Sequence, residues 1–169
     1  VRRLIRETQA DLSREGIQID RQMEVGVMLE VPAAILMLEA ISKEADFFAV
    51  GTNDLIQFTL AAGRTDDRIA HLSNPLHPAI LKSLYQVARV AREGEIMVMV
   101  CGEIASNPLF ASLLVGMGFQ HLSMNPFSIP DIKNILRKTS YRQVKDIVEQ
   151  VLRLPTIESV ETCVAERFA

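Results

Sequence analysis

The sequence predicts an α/β fold built on a parallel sheet. Three observations carry that expectation. Short apolar runs of strand length recur along the chain, each is followed by a segment at helical spacing, and polar or acidic residues stand at the end of each run. Strands alternating with helices in this way imply right-handed βαβ units and a parallel sheet. Four strands are expected, enough for a small open sheet or for part of a barrel.

Residues 25–31 (VGVMLEV) form a near-continuous apolar run, the pattern of a buried parallel strand. Pro32 suits the first position of a helix, and AAILMLEAISKEA continues at helical spacing. DFFAVG (46–51) is the second strand, followed by TND and an apolar helix, LIQFTLAA. A loop rich in turn formers, GRTDD through SNPLHP, leads into a helix from Ala79 to Glu93. IMVMVCG (96–102) is the third strand, followed by a helix from Pro108 to Gly116, and HLSMN (121–125) is the fourth. Beyond Pro130 the segments 131–138, 140–153 and 157–167 read as helices, each opened near Pro, Ser or Thr. No short repeat, low-complexity stretch or interdomain linker stands out, so residues 1–169 are read as one unit.

Composition narrows the function classes. Of 169 residues, 49% are hydrophobic and 23% charged, the profile of an ordinary globular chain rather than a disordered one. Eighteen basic residues stand against 21 acidic ones, a net charge of −3 with no Lys/Arg block. That argues against electrostatic capture of nucleic acid or of an anionic membrane surface. It leaves room for a small anionic substrate, which responds to two or three local groups. Cys101 and Cys163 lie far apart without metal-ligand spacing, which points to a reducing cytoplasm rather than a disulfide framework. No apolar run reaches the ~18 residues of a membrane span. The opening VRRLIRETQADLSREG is too charged for a secretory signal and lacks an initiator Met, so the sequence is expected to be an excised piece.

In parallel α/β folds ligands bind at the carboxyl ends of the strands. Here those ends carry Glu30, then Gly51-Thr52-Asn53-Asp54, then Cys101-Gly102-Glu103, then Ser123-Met124-Asn125. A carboxylate at Glu30, after an apolar run, is costly to bury unless paired or metal-bound. A salt bridge to a neighbouring strand accounts for it as readily. Asp54, taken alone, is an ordinary first-turn helix residue. Together they offer two hard oxygen ligands on adjacent strands, suited to Mg²⁺ or Mn²⁺.

Gly51 permits close approach of backbone to a ligand, and amides of the 51–54 turn at a helix start favour phosphate. Asn53 adds a neutral donor. Arg64 is either a solvated loop residue or a bidentate phosphate clamp. Cys101 is either an inert buried thiol or a proton donor at the mouth. His77, in NPLHPA, reads as a turn or helix-start residue, and His71 and His121 show no partner pattern.

Five blocks then carry a specific resemblance: GVMLEVPAA (26–34), DFFAVGTNDLIQFTLAAGR (46–64), NPLHPAIL (74–81), CGEIASNP (101–108) and LSMNPFSIP (122–130). In order and spacing they resemble the phosphoenolpyruvate-utilising family, and within it the enzyme I branch of bacterial phosphotransferase systems. The resemblance runs from Val25 to the C-terminus. It implies the C-terminal half, about four βα units, of a (β/α)₈ TIM-type barrel, a fold that typically needs ~250 residues and eight strands. The N-terminal half-barrel and the phosphohistidine domain are not in this sequence.

The resemblance also implies a reaction. Phosphoenolpyruvate binds with Mg²⁺, its phosphoryl group passes to a histidine on a separate domain and on to an HPr-like phosphocarrier, and enolpyruvate is protonated to pyruvate. By motif, Glu30 and Asp54 hold the metal, Asn53 and Arg64 hold the phosphoryl group, and Cys101 protonates the methylene carbon. A homodimer is implied as well, with no nucleic acid or membrane partner. MLEVP and HLSMN resemble the nitrogen-related paralogue, with the sugar-transport enzyme as the alternative.

Four positions depart from the family pattern. Gly63 replaces the usual Asp before the arginine, Ser106-Asn107 replaces Gly-Asp before Pro108, and Ile56 replaces Thr. Without the other half-barrel the fragment is expected to be inactive alone and, with two open sheet edges, to self-associate. Two rival readings remain at this stage. A metal-dependent pyruvate or enolate lyase needs the Glu30/Asp54 pair but neither Arg64 nor Cys101, and a dimerisation or regulatory module needs none of them.

Overall fold

The computed structural model describes residues 1–63, 68–69 and 72–168, the side chain of Phe168 excepted. All four apolar runs become strands: β1 (Val27–Leu29), β2 (Phe47–Gly51), β3 (Met97–Cys101) and β4 (His121–Ser123). They form one sheet in the order β1-β2-β3-β4, and every neighbouring pair is parallel. Each crossover therefore steps one strand in the same direction. Right-handed crossovers in such a sheet put the helices on one face, as in consecutive units of a barrel. A doubly wound sheet would reverse its strand order, and none of these steps does.

The alternation along each strand divides the two faces. Leu29, Phe48, Val50 and Val100 are completely buried, and they belong to one continuous core with helix residues. The opposite face carries Met28, 46% exposed, and Met97, 38% exposed, so it is only partly covered by the described residues. Each fully buried Leu, Val or Phe contributes ~1.5–3 kcal/mol, which makes the helix-bearing face the stabilising one.

Pro32 opens α2 (Pro32–Leu36) as its fixed φ allows, but the helix stops at Met37 (φ −102°, ψ 14°) and restarts as α3 (Leu38–Ile41). The single helix expected over this stretch is thus two short ones. After β2, α4 (Thr52–Leu60) begins directly, so TND is its first turn rather than a loop before it. Helix α5 (Pro78–Glu93) turns Ile80, Leu81, Leu84, Val87, Ala88 and Ala91 inward, an i, i+3/i+4 stripe on the core. His77 caps it, with Nδ1 accepting from the Ala79 amide at 3.1 Å, in keeping with the helix-start reading.

Helix α6 (Pro108–Met117) buries seven of its ten residues, because the helix over Tyr141–Val151 lies across its outer side. At the crossing Gly116 lies directly against Val144 and Val148. Helices α7 (Ile129–Lys138), α8 (Tyr141–Val151) and α9 (Ile157–Phe168) follow within a residue or two of their expected spans. The chain also opens with a helix that sequence reasoning did not place, α1 (Arg2–Arg14), which has no buried residue. Arg2 ties it down by donating to the Glu44 carbonyl and pairing with Asp46 at 2.9 Å. Strand β1 is shorter than the expected 25–31. Val25 bonds instead to Asp46, donating to its side chain and accepting from its amide.

Candidate functional site

The strand register assembles the site. Val50 pairs with Leu29 on one side and Val100 on the other, and Gly51 pairs with Cys101, which pairs with Ser123. Glu30 follows Leu29 and so stands beside Gly51 at the sheet's carboxyl end. Glu30, Gly51, Cys101 and Ser123 thus form one transverse row. They lie two residues beyond Met28, Ala49, Met99 and His121, on the face away from the helices.

Distances confirm the row's first link. A β-carbon placed on Gly51 would lie 3.0 Å from Glu30 Oε2 and 3.2 Å from the Met28 sulfur. The glycine is the reason Glu30 can fold back over the strand end. Glu30 is half-buried and makes no hydrogen bond or ion pair with the described residues, so the interstrand salt bridge that would explain it structurally is not there. Asp54 stands in the first turn of α4, half-buried. The N-cap of that helix is Gly51, which has no side chain, so the cap residue offers no acceptor to the first amides.

A second link joins β2 to β3. The Thr52 hydroxyl donates to the Cys101 carbonyl at 3.0 Å. Gly102 follows with φ +131°, a backbone conformation open to glycine alone. A β-carbon there would fall 2.2 Å from Thr52 Oγ1 and 3.4 Å from Asn53 Oδ1. The Asn53 side chain therefore lies against the Gly102 backbone, and Cys101, half-buried, stands one residue away at the same mouth. Beyond it, Glu103–Ser106 forms a 3₁₀ turn, and Asn107 caps α6 through its side-chain oxygen.

Four of the five predicted site residues, Glu30, Asn53, Asp54 and Cys101, come together at one end of the sheet. The fifth, Arg64, lies outside the described residues. Thr52 and Gly102 belong to the same cluster and were not singled out by sequence reasoning. The glycine in CGE carries a signal, since a glycine right after a buried strand often marks close backbone approach. Thr52 carries none, because a threonine at a helix start reads as an ordinary helix opener.

The donor set suits a particular kind of ion. Among the described residues no group of three His, Cys, Asp or Glu is arranged to hold a metal. Two carboxylates at an open mouth fit an ion that keeps water and substrate oxygens in its remaining positions, as Mg²⁺ does. They do not fit a structural Zn²⁺ site, which is closed by four protein ligands.

A parallel sheet in sequential order, with carboxylates, an amide and a thiol gathered at its carboxyl end, is the arrangement of a barrel enzyme's ligand-binding end. The chain belongs to the PEP-utilising enzymes: residues 1–141 match the family described as PEP-utilising enzyme, PEP-binding domain. It is similar to the phosphoenolpyruvate-protein phosphotransferase of Buchnera aphidicola from Acyrthosiphon pisum, with 42% identity over 90% of this chain and 27% of the relative. The proteins of that name from Geobacillus stearothermophilus and Cupriavidus necator are similar too. The first is 41% identical over 98% of this chain and 28% of the relative. The second is 40% identical over 89% of this chain and 26% of the relative. The chain thus spans about a quarter of the length of the curated relatives it matches.

Proposed function

We propose that this chain supplies the metal-binding and proton-donating part of a site that transfers the phosphoryl group of phosphoenolpyruvate to a histidine. Residues 1–169 act as one unit, half of an eight-stranded barrel, with the remaining strands and the histidine provided elsewhere. The observation that carries the reading is Glu30. It is a carboxylate at the sheet's carboxyl end, held over Gly51 and without a cation partner among the described residues. An unpaired, half-buried carboxylate at the same sheet end as Asp54, Asn53 and Cys101 is apt as a ligand.

A divalent cation, Mg²⁺ or alternatively Mn²⁺, held by Glu30 and Asp54 would neutralise charge on the substrate's oxygens. Asn53 donates to the phosphoryl group, and the first amides of α4, to which the N-cap Gly51 offers no side-chain acceptor, favour the same anion. Arg64, on sequence grounds, supplies the guanidinium that spreads over the phosphoryl oxygens. Such transfers are accelerated mainly by positioning and charge neutralisation. As the substrate's P–O bond breaks, a P–N bond to the histidine forms and the enolate of pyruvate is left. Cys101 then gives its S–H proton to the methylene carbon, the C2–O bond becomes a carbonyl, and water reprotonates the thiolate. The phosphohistidine passes its group to an HPr-like phosphocarrier in either the sugar or the nitrogen branch, and the intact protein works as a cytoplasmic homodimer.

Calorimetric titration of phosphoenolpyruvate, with and without Mg²⁺, tests the reading in a protein that carries this chain within eight strands. Metal-dependent binding that disappears in Glu30→Gln is expected. A folded protein that binds phosphoenolpyruvate equally well without metal, or equally well as Glu30→Gln, would remove the basis for the assignment.

A further inference from the structure

The geometry points to Thr52 as a positioning residue that aims the Cys101 thiol at the substrate by fixing the Cys101–Gly102 peptide. Among the described residues, Thr52 and Ser112 are the two polar side chains in the buried class, each 1% exposed. Their hydrogen bonds differ in reach. Ser112 donates to Pro108 within its own helix, a local bond that any helical serine can make. Thr52 donates across the sheet to the Cys101 carbonyl at 3.0 Å, joining residues 49 positions apart. A buried hydroxyl needs a partner, and here the partner is the carbonyl of the thiol-bearing residue itself.

The lock has three parts. Gly51 pairs with Cys101 in the β2–β3 ladder, which fixes the height of the two strand ends. The Thr52 hydroxyl holds the Cys101 carbonyl and so fixes ψ of Cys101. Gly102, at φ +131°, leaves the space that the hydroxyl fills, since a β-carbon there would fall 2.2 Å from it. The same threonine precedes Asn53, whose side-chain oxygen lies 3.4 Å from that point. One buried hydroxyl thus ties the strand end that carries Cys101 to the helix turn that carries Asn53, without itself bonding the Asn53 side chain.

The role of the thiol rests on the proposed function, whereas the lock itself does not, and the test separates the two. In a Cys163→Ser background, Thr52→Val removes the hydroxyl at nearly constant shape and Thr52→Ser keeps it. The first readout is alkylation of Cys101 by iodoacetamide at fixed pH, with folding checked by circular dichroism. Release of the peptide frees a half-buried thiol, so Thr52→Val is expected to react about threefold to fivefold faster, and Thr52→Ser at the parent rate. An unchanged rate in folded Thr52→Val, or an equal rise in Thr52→Ser, would overturn the lock whether or not the protein turns over.

The second readout, in the protein that carries the chain, is the rate of pyruvate formation and the facial selectivity of protonation of isotopically labelled phosphoenolpyruvate. Thr52→Val should slow the protonation step about tenfold and scramble the face, with substrate affinity held within about twofold. Thr52→Ser should restore both. A parent protein that makes no pyruvate would instead defeat the functional reading, leaving the alkylation result to decide the lock.

Discussion

Glu30 folds back over Gly51, its Oε2 3.0 Å from where a β-carbon would stand. The backbone at Gly51 (φ −81°, ψ 84°) does not itself exclude alanine. The constraint is contact alone. Gly51→Ala is therefore expected to leave the fold intact while displacing the Glu30 carboxylate by a few tenths of an ångström. Mn²⁺ affinity, followed by electron paramagnetic resonance in a protein that binds the ion, should fall about tenfold, the scale of other changes just outside a metal's ligands. An affinity equal to that of the parent would show that Glu30 is not held where the ion binds.

The departure from the family pattern before Pro108 is silent in the structure because Asn107 does the work of the aspartate. Its Oδ1 accepts from the Leu109 amide at 3.0 Å and the Phe110 amide at 3.4 Å. Asn107→Ala should cost ~1 kcal/mol in urea denaturation. Asn107→Asp keeps the acceptor and adds negative charge at the helix N-terminus, so it should be neutral or stabilising by up to about 1 kcal/mol at low salt. A loss in the aspartate variant as large as in the alanine variant would mean that the cap bond is not what holds this turn.

What the sequence made legible follows from how strongly burial constrains it. The runs FFAV and VMV are strands because their alternating residues Phe48, Val50, Val98 and Val100 are buried between the sheet and its helices, and the polar residues after them mark the mouth. Ile56 reads as a lost hydroxyl in sequence but is buried in the core, where the added apolar surface is an advantage. Helix α1 does carry a helical stripe, with Ile5, Gln9 and Leu12 half-buried on one side, but sequence reasoning weighed its charged residues only against a secretory signal and passed over the spacing. The late start of β1 depends on Asp46, a side chain 21 residues away that captures the Val25 amide. The Thr52 lock was hidden for the same reason. Its meaning lies in a strand register that pairs positions 51 and 101, and no local pattern encodes that pairing.

The α6–α8 crossing depends on the missing side chain of Gly116. A β-carbon there would lie 2.6 Å from Val144 Cγ1 and 3.0 Å from the Val144 carbonyl oxygen. Alanine is the better helix former by about 1 kcal/mol, but overpacking typically costs ~1–3 kcal/mol, and a backbone carbonyl cannot rotate away. Gly116→Ala should therefore be net destabilising, by ~1–2 kcal/mol in chemical denaturation. Val144→Ala alone should also destabilise, by opening a cavity. The two together should cost less than their sum, since the truncated valine relieves the 2.6 Å clash. Strict additivity would mean that the helices separate rather than clash.

Asp46 gives the fold an acid-sensitive joint. Its Oδ2 accepts from the Val25 amide at 2.7 Å and its Oδ1 pairs with Arg2 at 2.9 Å, so it binds the entry to β1 and the start of α1 to the entry of β2. The amide bond first, and the Arg2 guanidinium second, hold its carboxyl below the ordinary value of 3.8. A depressed pKa means that the folded state favours the ionised form. The contribution is fully present above 3.8 and is lost as pH falls through the lower, folded value. Asp46→Asn preserves the shape and one acceptor while removing the titration. The gap in urea midpoint between parent and variant should therefore be constant from neutral pH down to mildly acid conditions and close below 3.8. Added salt should narrow the neutral-pH gap only in part, because it screens the exposed Arg2 pair and leaves the short bond to Val25. A gap that persists unchanged well below 3.8 would show that the asparagine disturbs packing instead, and that the joint's charge contributes nothing.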